Sequence, residues 1–458
     1  MAKIVILGAG LTGISAAYHL EQAGFYDYAL FEKEDTIGGL CRSVQQDGFT
    51  FDFTGHLLHI NNDYFRSLIE SVVGLNNFEQ IHRRSFIYSH KTYTNYPFQI
   101  HLKGLPSPVV AECIAGFIAR KKNVRNPHSF REWVLKEFGP GFGTHFFFPY
   151  QKKIFAYSID KLTASWTGRF VPATTLTQII DGIMHDADQT PSVGYNAQFF
   201  YPKKGGIFYW VEKLAQQLLT PVRTHHCVKK VDLKNKIVRF SNGHSEPYDH
   251  LITTIPLDRF IDCLQEMPST TFAHARPHLL CNSVINFNLG IRRPDMTDKH
   301  WIYFPETEFP FYRLGFPHNF TANAAPPGHS SLYGECSFLK RSGKWQQEIL
   351  QRALAHTKKL LKLDQTDIMM EKIITIPHAY VIYDAWRDRH LPDLLNRLKE
   401  YNIHSVGRYG QWKYSSMQEA VLDGKTIAQT LTIMPARSTL FYQPTPRTTE
   451  NTPLESSA

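Results

Sequence analysis

Three sets of residues in this 458-residue chain have types and spacings that can do chemistry. Gly8, Gly10 and Gly13 stand in the order GxGxxG. The first glycine allows a tight turn, the second lets a phosphate approach the backbone, and the third lets a following helix pack closely with its N-terminus toward the negative charge. Glu32, at 32 − 8 = 24 positions further on, can take ribose hydroxyls, and an acid there favours an unphosphorylated ribose. The second set, Tyr303, Arg313, Tyr380, Arg408 and Tyr414, is joined in the sequence only by a family resemblance, and its residue types suit an anion. A diphosphate carries about two negative charges, which two convergent guanidiniums can meet with bidentate bonds while phenol hydroxyls complete the clamp. Fixed donors of this kind also stabilise a diphosphate that leaves as an anion. The third set is NYPFQ, where Tyr96 offers a face for a base to stack on and Gln99 an amide to pair with its edge.

Elements of simple periodicity must position these groups. Ile4 to Leu7 read as a short apolar strand, and a helix pattern follows the glycines through Ala23. The run YALFE reads as a second strand that delivers Glu32 at its end. Beyond it, IGGLCRS places Gly38 and Gly39 in a second close-approach turn, from which Arg42 can reach cofactor phosphates. Far downstream, CVKKVDLKNKIVRFSNGHSEPYDHLITTIP, containing Val228, alternates like two strands joined by a turn and ends in an apolar strand. GRYGQW, with Gly407, leads into the helix-like SMQEAVLDGKTIAQTL, with Met417 near its start, and the N-terminus of such a helix can stabilise negative charge.

The cofactor unit is therefore expected from separated pieces, residues 1–95, 220–280 and 400–434. Residues 96–200 read as a mainly helical substrate unit, and 281–399 with 201–219 as a β-sheet substrate unit. The Pro-, Thr- and Ser-rich stretch 435–458 reads as a disordered tail.

Composition narrows the class. With 43% hydrophobic and 20% charged residues the chain can bury a large core and divide into two or three substructures. The net charge of +9 suits a polyanionic ligand, but the basic residues are spread, and Arg120, Lys121 and Lys122 read as a solvated helix end, so no nucleic-acid partner is expected. The cysteines at 41, 113, 227, 263, 281 and 336 form no CxxC pair; neither a disulfide framework nor a metal site is favoured, and the reading is a reducing cytoplasm. No apolar run reaches the roughly 18 to 20 residues that span a bilayer. Ser/His/Asp triad, HExxH and P-loop patterns are missing. Oligomeric state is left open.

The segment IGGLCRS resembles the second fingerprint of the large FAD family that contains amine oxidases, phytoene desaturases and UDP-galactopyranose mutases. The resemblance implies FAD as cofactor and an α/β fold: a Rossmann-like FAD-binding domain with an inserted helical substrate domain and an antiparallel β-sheet domain. Over most of residues 1 to 435 the chain resembles the mutases themselves, chiefly their eukaryotic-like branch. His56, in FDFTGHLLH, stands where they carry the histidine of a mobile GGH loop beside the flavin, with Thr54 in place of the first glycine. Tyr96 and Gln99 match the YPFQ that receives uracil, and Phe146 in HFFFPY falls on the opposite side of that slot. PYQKKIFAYSIDKLTASWTGRFVP is similar to the family's PYN and WxGxRV segment, with Tyr150, Trp166 and Arg169 matching and Gln151 and Phe155 in place of Asn and Trp. Asn196 matches a nucleotide-sugar contact and Gly205 with Gly206 a turn near the flavin. Tyr303, Arg313, Tyr380, Arg408 and Tyr414 match ligands of the UDP pyrophosphate.

What the resemblance implies is a pyranose–furanose mutase acting on UDP-galactopyranose or a related UDP-sugar. In this reading reduced-flavin N5 attacks the anomeric carbon as UDP leaves, Arg313 and Arg408 stabilise the leaving group, and His56 tunes the flavin. NAD(P)H is then the expected external reductant. The alternative is an FAD-dependent oxidoreductase, akin to amine oxidases, protoporphyrinogen oxidases or desaturases. Such a site wants a deep apolar channel with few cations.

Overall fold

In the computed structural model, which describes residues 3–120, 126–185, 197–265 and 270–433, the opening apolar run becomes an inner strand, β1, Ile4–Leu7. It lies between β2, Tyr28–Phe31, and the strand His250–Thr253, with Ile403–Ser405 beyond, and every neighbour is parallel. A strand covered on both faces is apolar throughout, and Ile4, Val5, Ile6 and Leu7 are each at most 1% exposed. Helix α1, Leu11–Gln22, lies so close to this sheet that a Cβ on Gly13 would stand 2.0 Å from the Gly8 carbonyl oxygen. The closing helix, Met417–Ile433, reaches α1 through Gly424, whose Cβ would stand 2.6 Å from the Thr12 carbonyl oxygen. The start of α1 is thereby held at the carboxyl end of β1, where open α/β sheets take their ligands.

Val228–Asp232 and Ile237–Phe240 pair as the antiparallel hairpin their alternation indicates, joined by Ser245–Pro247 and Leu264–Gln265 in a small second sheet. The large sheet has seven strands in the order Ile368–Ile376, Ser283–Ile291, Ser330–Phe338, Arg313–Gly315, Trp301–Tyr303, Ser85–Ser89 and Thr92–Asn95. It is antiparallel except between Trp301–Tyr303 and Ser85–Ser89. The helix Gly343–Leu361 covers it, with Ala353 and Leu354 packed among Ile285, Leu289 and Cys336. The inserted unit carries helices Ser107–Ile118, Phe130–Glu137, Phe148–Phe155 and Leu176–Met184, with a π-helical turn at Gly143–Phe147. The fold is thus α/β, with a Rossmann-like sheet, a helical insertion and a largely antiparallel sheet.

Two stretches fall elsewhere than the sequence suggests. Residues 85–95, expected in the cofactor unit, form the last two strands of the large sheet, with Phe86 opposite Ile302. Phe208–Ala215, expected with the β-sheet unit, instead buries Trp210, Val211 and Leu214 in the cluster that holds Ile14 and Leu20 of α1. Alternation and helical period reveal an element but not its partner, which is a property of distant chain. Arg120 folds back over the Phe117 ring, whereas Lys121, Lys122, Asn196 and the stretch 435–458 lie outside the described residues. Among the described residues no helix is long and apolar enough to cross a membrane, and no group of three or more His, Cys, Asp or Glu is placed to hold a metal ion.

Candidate functional site

The two glycine turns face each other at the carboxyl end of β1. Gly8, Gly38 and Gly39 have φ of +96°, +98° and +58°, and Gly38 donates its N–H to the Ala9 carbonyl at 2.8 Å. A Cβ on Gly39 would stand 3.3 Å from the Gly10 Cα, so side chains at either place would fill the groove between the turns. Its floor is therefore main chain, which is what a dinucleotide pyrophosphate needs. Glu32 directly follows β2 and accepts from the Ala9 N–H at 2.8 Å and the Glu34 N–H at 3.1 Å, which orients its carboxylate beside the turn. Arg42 donates from Nε to the Gly39 carbonyl at 2.8 Å and lies 4.5 Å over the Phe53 ring. Gly407, at φ +79°, brings its turn against Thr12 of α1, and Met417 starts the closing helix. Val228 opens its hairpin strand opposite Phe240.

Gly205 and Gly206 adopt φ of +75° and +66°, and a Cβ on Gly206 would meet Asp52 Oδ1 at 2.7 Å. Asp52, which the sequence reading missed, accepts from Ser43 Oγ at 2.6 Å, Tyr201 Oη at 2.7 Å and the Ile207 N–H at 3.1 Å. Burial pushes its carboxyl up to about 6 despite those bonds.

Two residues beyond Asp52, Thr54 sits at φ +77°, a left-handed conformation unusual for a β-branched residue. Gly55 follows; its N–H reaches Glu335 Oε1 at 3.3 Å, and a Cβ there would stand 2.0 Å from Tyr333 Oη. Burial pushes the next residue, His56, down to about 4, against a backbone hydrogen bond at Thr54 and with the charges of Arg408 and Arg313 adding to the shift. The imidazole is neutral at physiological pH.

Tyr303 and Arg313, ten apart in sequence, are direct register partners on adjacent antiparallel strands. Arg313 is in turn opposite Glu335, and donates from Nε to Oε2 at 2.9 Å and from Nη2 to Oε1 at 2.7 Å. This corrects one expectation: the fork of Arg313 is occupied by a fully buried carboxylate, so a diphosphate can meet only the donors left over. The sequence does carry a signal for Glu335, a lone carboxylate in the otherwise uncharged, buried strand SSLYGECSF.

Arg408 donates from Nη1 to the Ser415 carbonyl at 2.7 Å and from Nη2 to the Ala379 carbonyl at 3.0 Å, while its buried Nε has no hydrogen-bond partner among the described residues. The rings of Tyr414, Tyr409 and Tyr380 surround it at 5.1, 5.6 and 5.8 Å. Tyr380 stacks on Tyr414 with centroids 6.3 Å apart.

An aromatic chain leads away from this centre. Tyr150 meets Tyr303 edge-on at 5.5 Å and stacks on Phe146 at 5.1 Å, and Tyr96 lies 5.0 Å from Tyr303. Burial raises Tyr96, Tyr150 and Tyr303 and pushes Tyr380 up to about 12, so these phenols stay protonated and can donate. Arg83, missed in the sequence, stands 4.9 Å over the Tyr96 ring.

Other expected residues are engaged elsewhere. Gln99 is buried with its amide nitrogen donated to the Pro172 carbonyl at 3.0 Å. Trp166 stacks on Phe130 and touches Phe155, which makes it core, and Phe155 reaches the Tyr380 ring at 6.0 Å. Gln151 is buried with Oε1 lacking a partner among the described residues. Arg169 falls in the short turn Gly168–Phe170, with its side chain outside the description.

The family model described as flavin containing amine oxidoreductase matches residues 11–432. A crystal structure of reduced UDP-galactopyranose mutase has a TM-score of 0.88 to this chain at 26% identity, covering 94% of this chain and 95% of that one. A 4,4'-diapolycopene oxygenase from Methylomonas sp is 22% identical over 346 residues, which is 66% of this chain and 65% of the oxygenase. A 4,4'-diapophytoene desaturase from Staphylococcus aureus (strain COL) is 31% identical over 98 residues, 21% of this chain and 19% of the desaturase. The chain spans less than two thirds of the length of these two relatives.

Proposed function

For a chain that belongs to the flavin containing amine oxidoreductase family and takes FAD as its cofactor, we propose the activity of a UDP-sugar mutase that interconverts pyranose and furanose forms. The observation that carries this reading is the convergence of two half-buried arginines, Arg313 and Arg408, with Tyr303, Tyr380 and Tyr414 in one aromatic-lined centre. The likeness to the reduced mutase along nearly the whole chain supports it. When bound and reduced, with NAD(P)H as the proposed source of electrons, FAD supplies the nucleophile for the sugar's anomeric carbon.

The chain's own part is electrostatic. Arg408, through its unpartnered Nε–H and the Nη hydrogens its carbonyl acceptors leave over, and Arg313, through the donors Glu335 leaves over, would meet a diphosphate whose charge grows as the glycosidic bond lengthens. Protonated phenols of Tyr303 and Tyr380 add neutral donors, and their rings keep water out. A neutral His56 beside these cations places no further positive charge next to the cofactor. Tyr96, with Phe146 and Tyr150 behind it, offers the stacking surface for uracil.

The test is to reduce the purified yellow protein without oxygen, add UDP-galactopyranose and a panel of other UDP-sugars, and look for furanose products by chromatography. Arg408→Ala is expected to weaken UDP binding about tenfold or more, the effect of losing a charge-assisted bond. A second reading, hydride transfer from an apolar substrate, is favoured by the desaturase and oxygenase among the relatives. Turnover of such a substrate, with no affinity for UDP, would establish it in place of the first.

A further inference from the structure

We propose that Lys153 is a positioning residue for the diphosphate clamp, fixing the turn that joins Tyr303 to Arg313. The inference rests on the UDP-binding reading above, because the function it assigns is the spacing of two residues of that site.

Lys153 lies on the helix Phe148–Phe155, one turn after Tyr150, and so on the same face. Its ammonium donates to three main-chain carbonyls: Phe304 at 2.7 Å, Phe311 at 3.3 Å and, closest of all, Glu306. An ammonium has three donors, and here each has an acceptor in the same turn. Phe304 directly follows Tyr303, and Phe311 stands two residues before Arg313. Lys153 therefore grips both ends of the connection between the clamp residues without being part of the clamp.

The grip matters because the ladder it steadies is short. Trp301–Tyr303 and Arg313–Gly315 share three register pairs, extended at the turn end by the Phe304 N–H to the Tyr312 carbonyl at 3.0 Å and at the far end by the Phe316 N–H to the His300 carbonyl at 2.9 Å. A slip of one residue along such a ladder turns every side chain to the opposite face, which would carry Arg313 away from Glu335 and Tyr303 away from Tyr150. From outside, the Glu306 carboxylate holds the same turn by accepting from Ser89 Oγ at 3.2 Å and the His90 N–H at 2.6 Å. Nothing local in the sequence marks Lys153, since a lysine in a helix reads as a solvated residue.

Arg313 meets only the diphosphate, whereas Tyr303 also borders Tyr96 and Tyr150 of the base slot, so a residue that sets their spacing must weaken UDP more than uridine. The experiment measures both affinities on FAD-loaded Lys153→Met and the milder Lys153→Gln, by titration of the flavin absorbance, together with amide exchange of residues 304–312. We expect UDP affinity to fall about tenfold or more, uridine affinity and flavin content to stay near wild type, and the 304–312 amides to exchange faster. Loss of UDP and uridine affinity in proportion, or no change in the ratio, overturns the proposal. If the wild-type protein binds no UDP, the mutase reading fails and this role of Lys153 with it. If it binds UDP and the ratio is unmoved, only Lys153 is misassigned.

Discussion

Arg313 shows how a single side chain is divided between fold and chemistry. Two of its nitrogens satisfy Glu335, which is 0% exposed, so removing that carboxylate strands a buried guanidinium. Glu335→Ala is expected to cost about 3–5 kcal/mol in urea unfolding, as broken buried pairs do, and Glu335→Gln, which keeps an acceptor, roughly 1–3 kcal/mol. The loop just above behaves oppositely at neighbouring positions. Thr54→Gly removes a side chain from a left-handed backbone and is expected to leave stability within about 1 kcal/mol of wild type, the relief of strain offsetting glycine's extra freedom. Gly55→Ala puts a Cβ where Tyr333 Oη stands 2.0 Å away and is expected to cost about 1–3 kcal/mol by the same measurement. At this scale the sequence was partly legible. The matches to known site positions named Arg313, Arg408 and the tyrosines, and Glu335 shows as a lone carboxylate in its strand, whereas Asp52 and Lys153 emerge only when segments far apart in the chain are laid side by side.

Elements were legible wherever their signal is local. The apolar run of β1, the glycines after it and the period of α1 specify that unit within about twenty residues, and the hairpin from Val228 declared itself by alternation. Placement of the strand Ser85–Ser89 and of the helix Phe208–Ala215 was not legible, because nothing in either segment encodes which distant surface covers it. The contact between α1 and the closing helix is of this kind and is correspondingly sensitive. With the Thr12 carbonyl oxygen 2.6 Å and the Ala16 nitrogen 2.7 Å from a Cβ at Gly424, no side chain fits without moving one helix. Gly424→Val is expected to cost about 1–3 kcal/mol and to lower the flavin-to-protein absorbance ratio of the purified protein, since the turn it displaces is the one that faces the pyrophosphate.

Across the molecule, burial sets a common response to acid. His56, His59, His101, His300 and His404 are each pushed down to about 4, mainly by burial, so the folded chain keeps them neutral where the unfolded chain protonates near 6.5. The unfolded state therefore binds more protons between those values, and the stability these groups contribute is full above about 6.5 and lost as pH falls toward 4. Each contributes a slope of at most about 1.4 kcal/mol per pH unit, reached only in the middle of that window. Asp52 opposes one of them, because its carboxyl, raised to about 6, favours the folded state at low pH and loses that effect as pH rises through 6. Thermal unfolding is accordingly expected to shift steeply downward from pH 6.5 to 4; a flat Tm across that range would contradict the burial of the five imidazoles. Strands of the parallel sheet recur at both ends of the chain, Ile4–Leu7 at one and Ile403–Ser405 at the other, and no local signal joins them.

That recurrence has a consequence in time. The sheet that starts at Ile4 receives its last strand, Ile403–Ser405, and its last helix, Met417–Ile433, some four hundred residues later. A ribosome adding about 5–20 residues per second needs roughly 20–80 seconds to cover that distance. Through all of it the nascent chain displays a half-built dinucleotide groove that lacks its outermost strand and its final buttress. FAD capture is thus a late event, and a messenger cut short before the codons of Met417–Ile433 yields a colourless protein however well its first half folds.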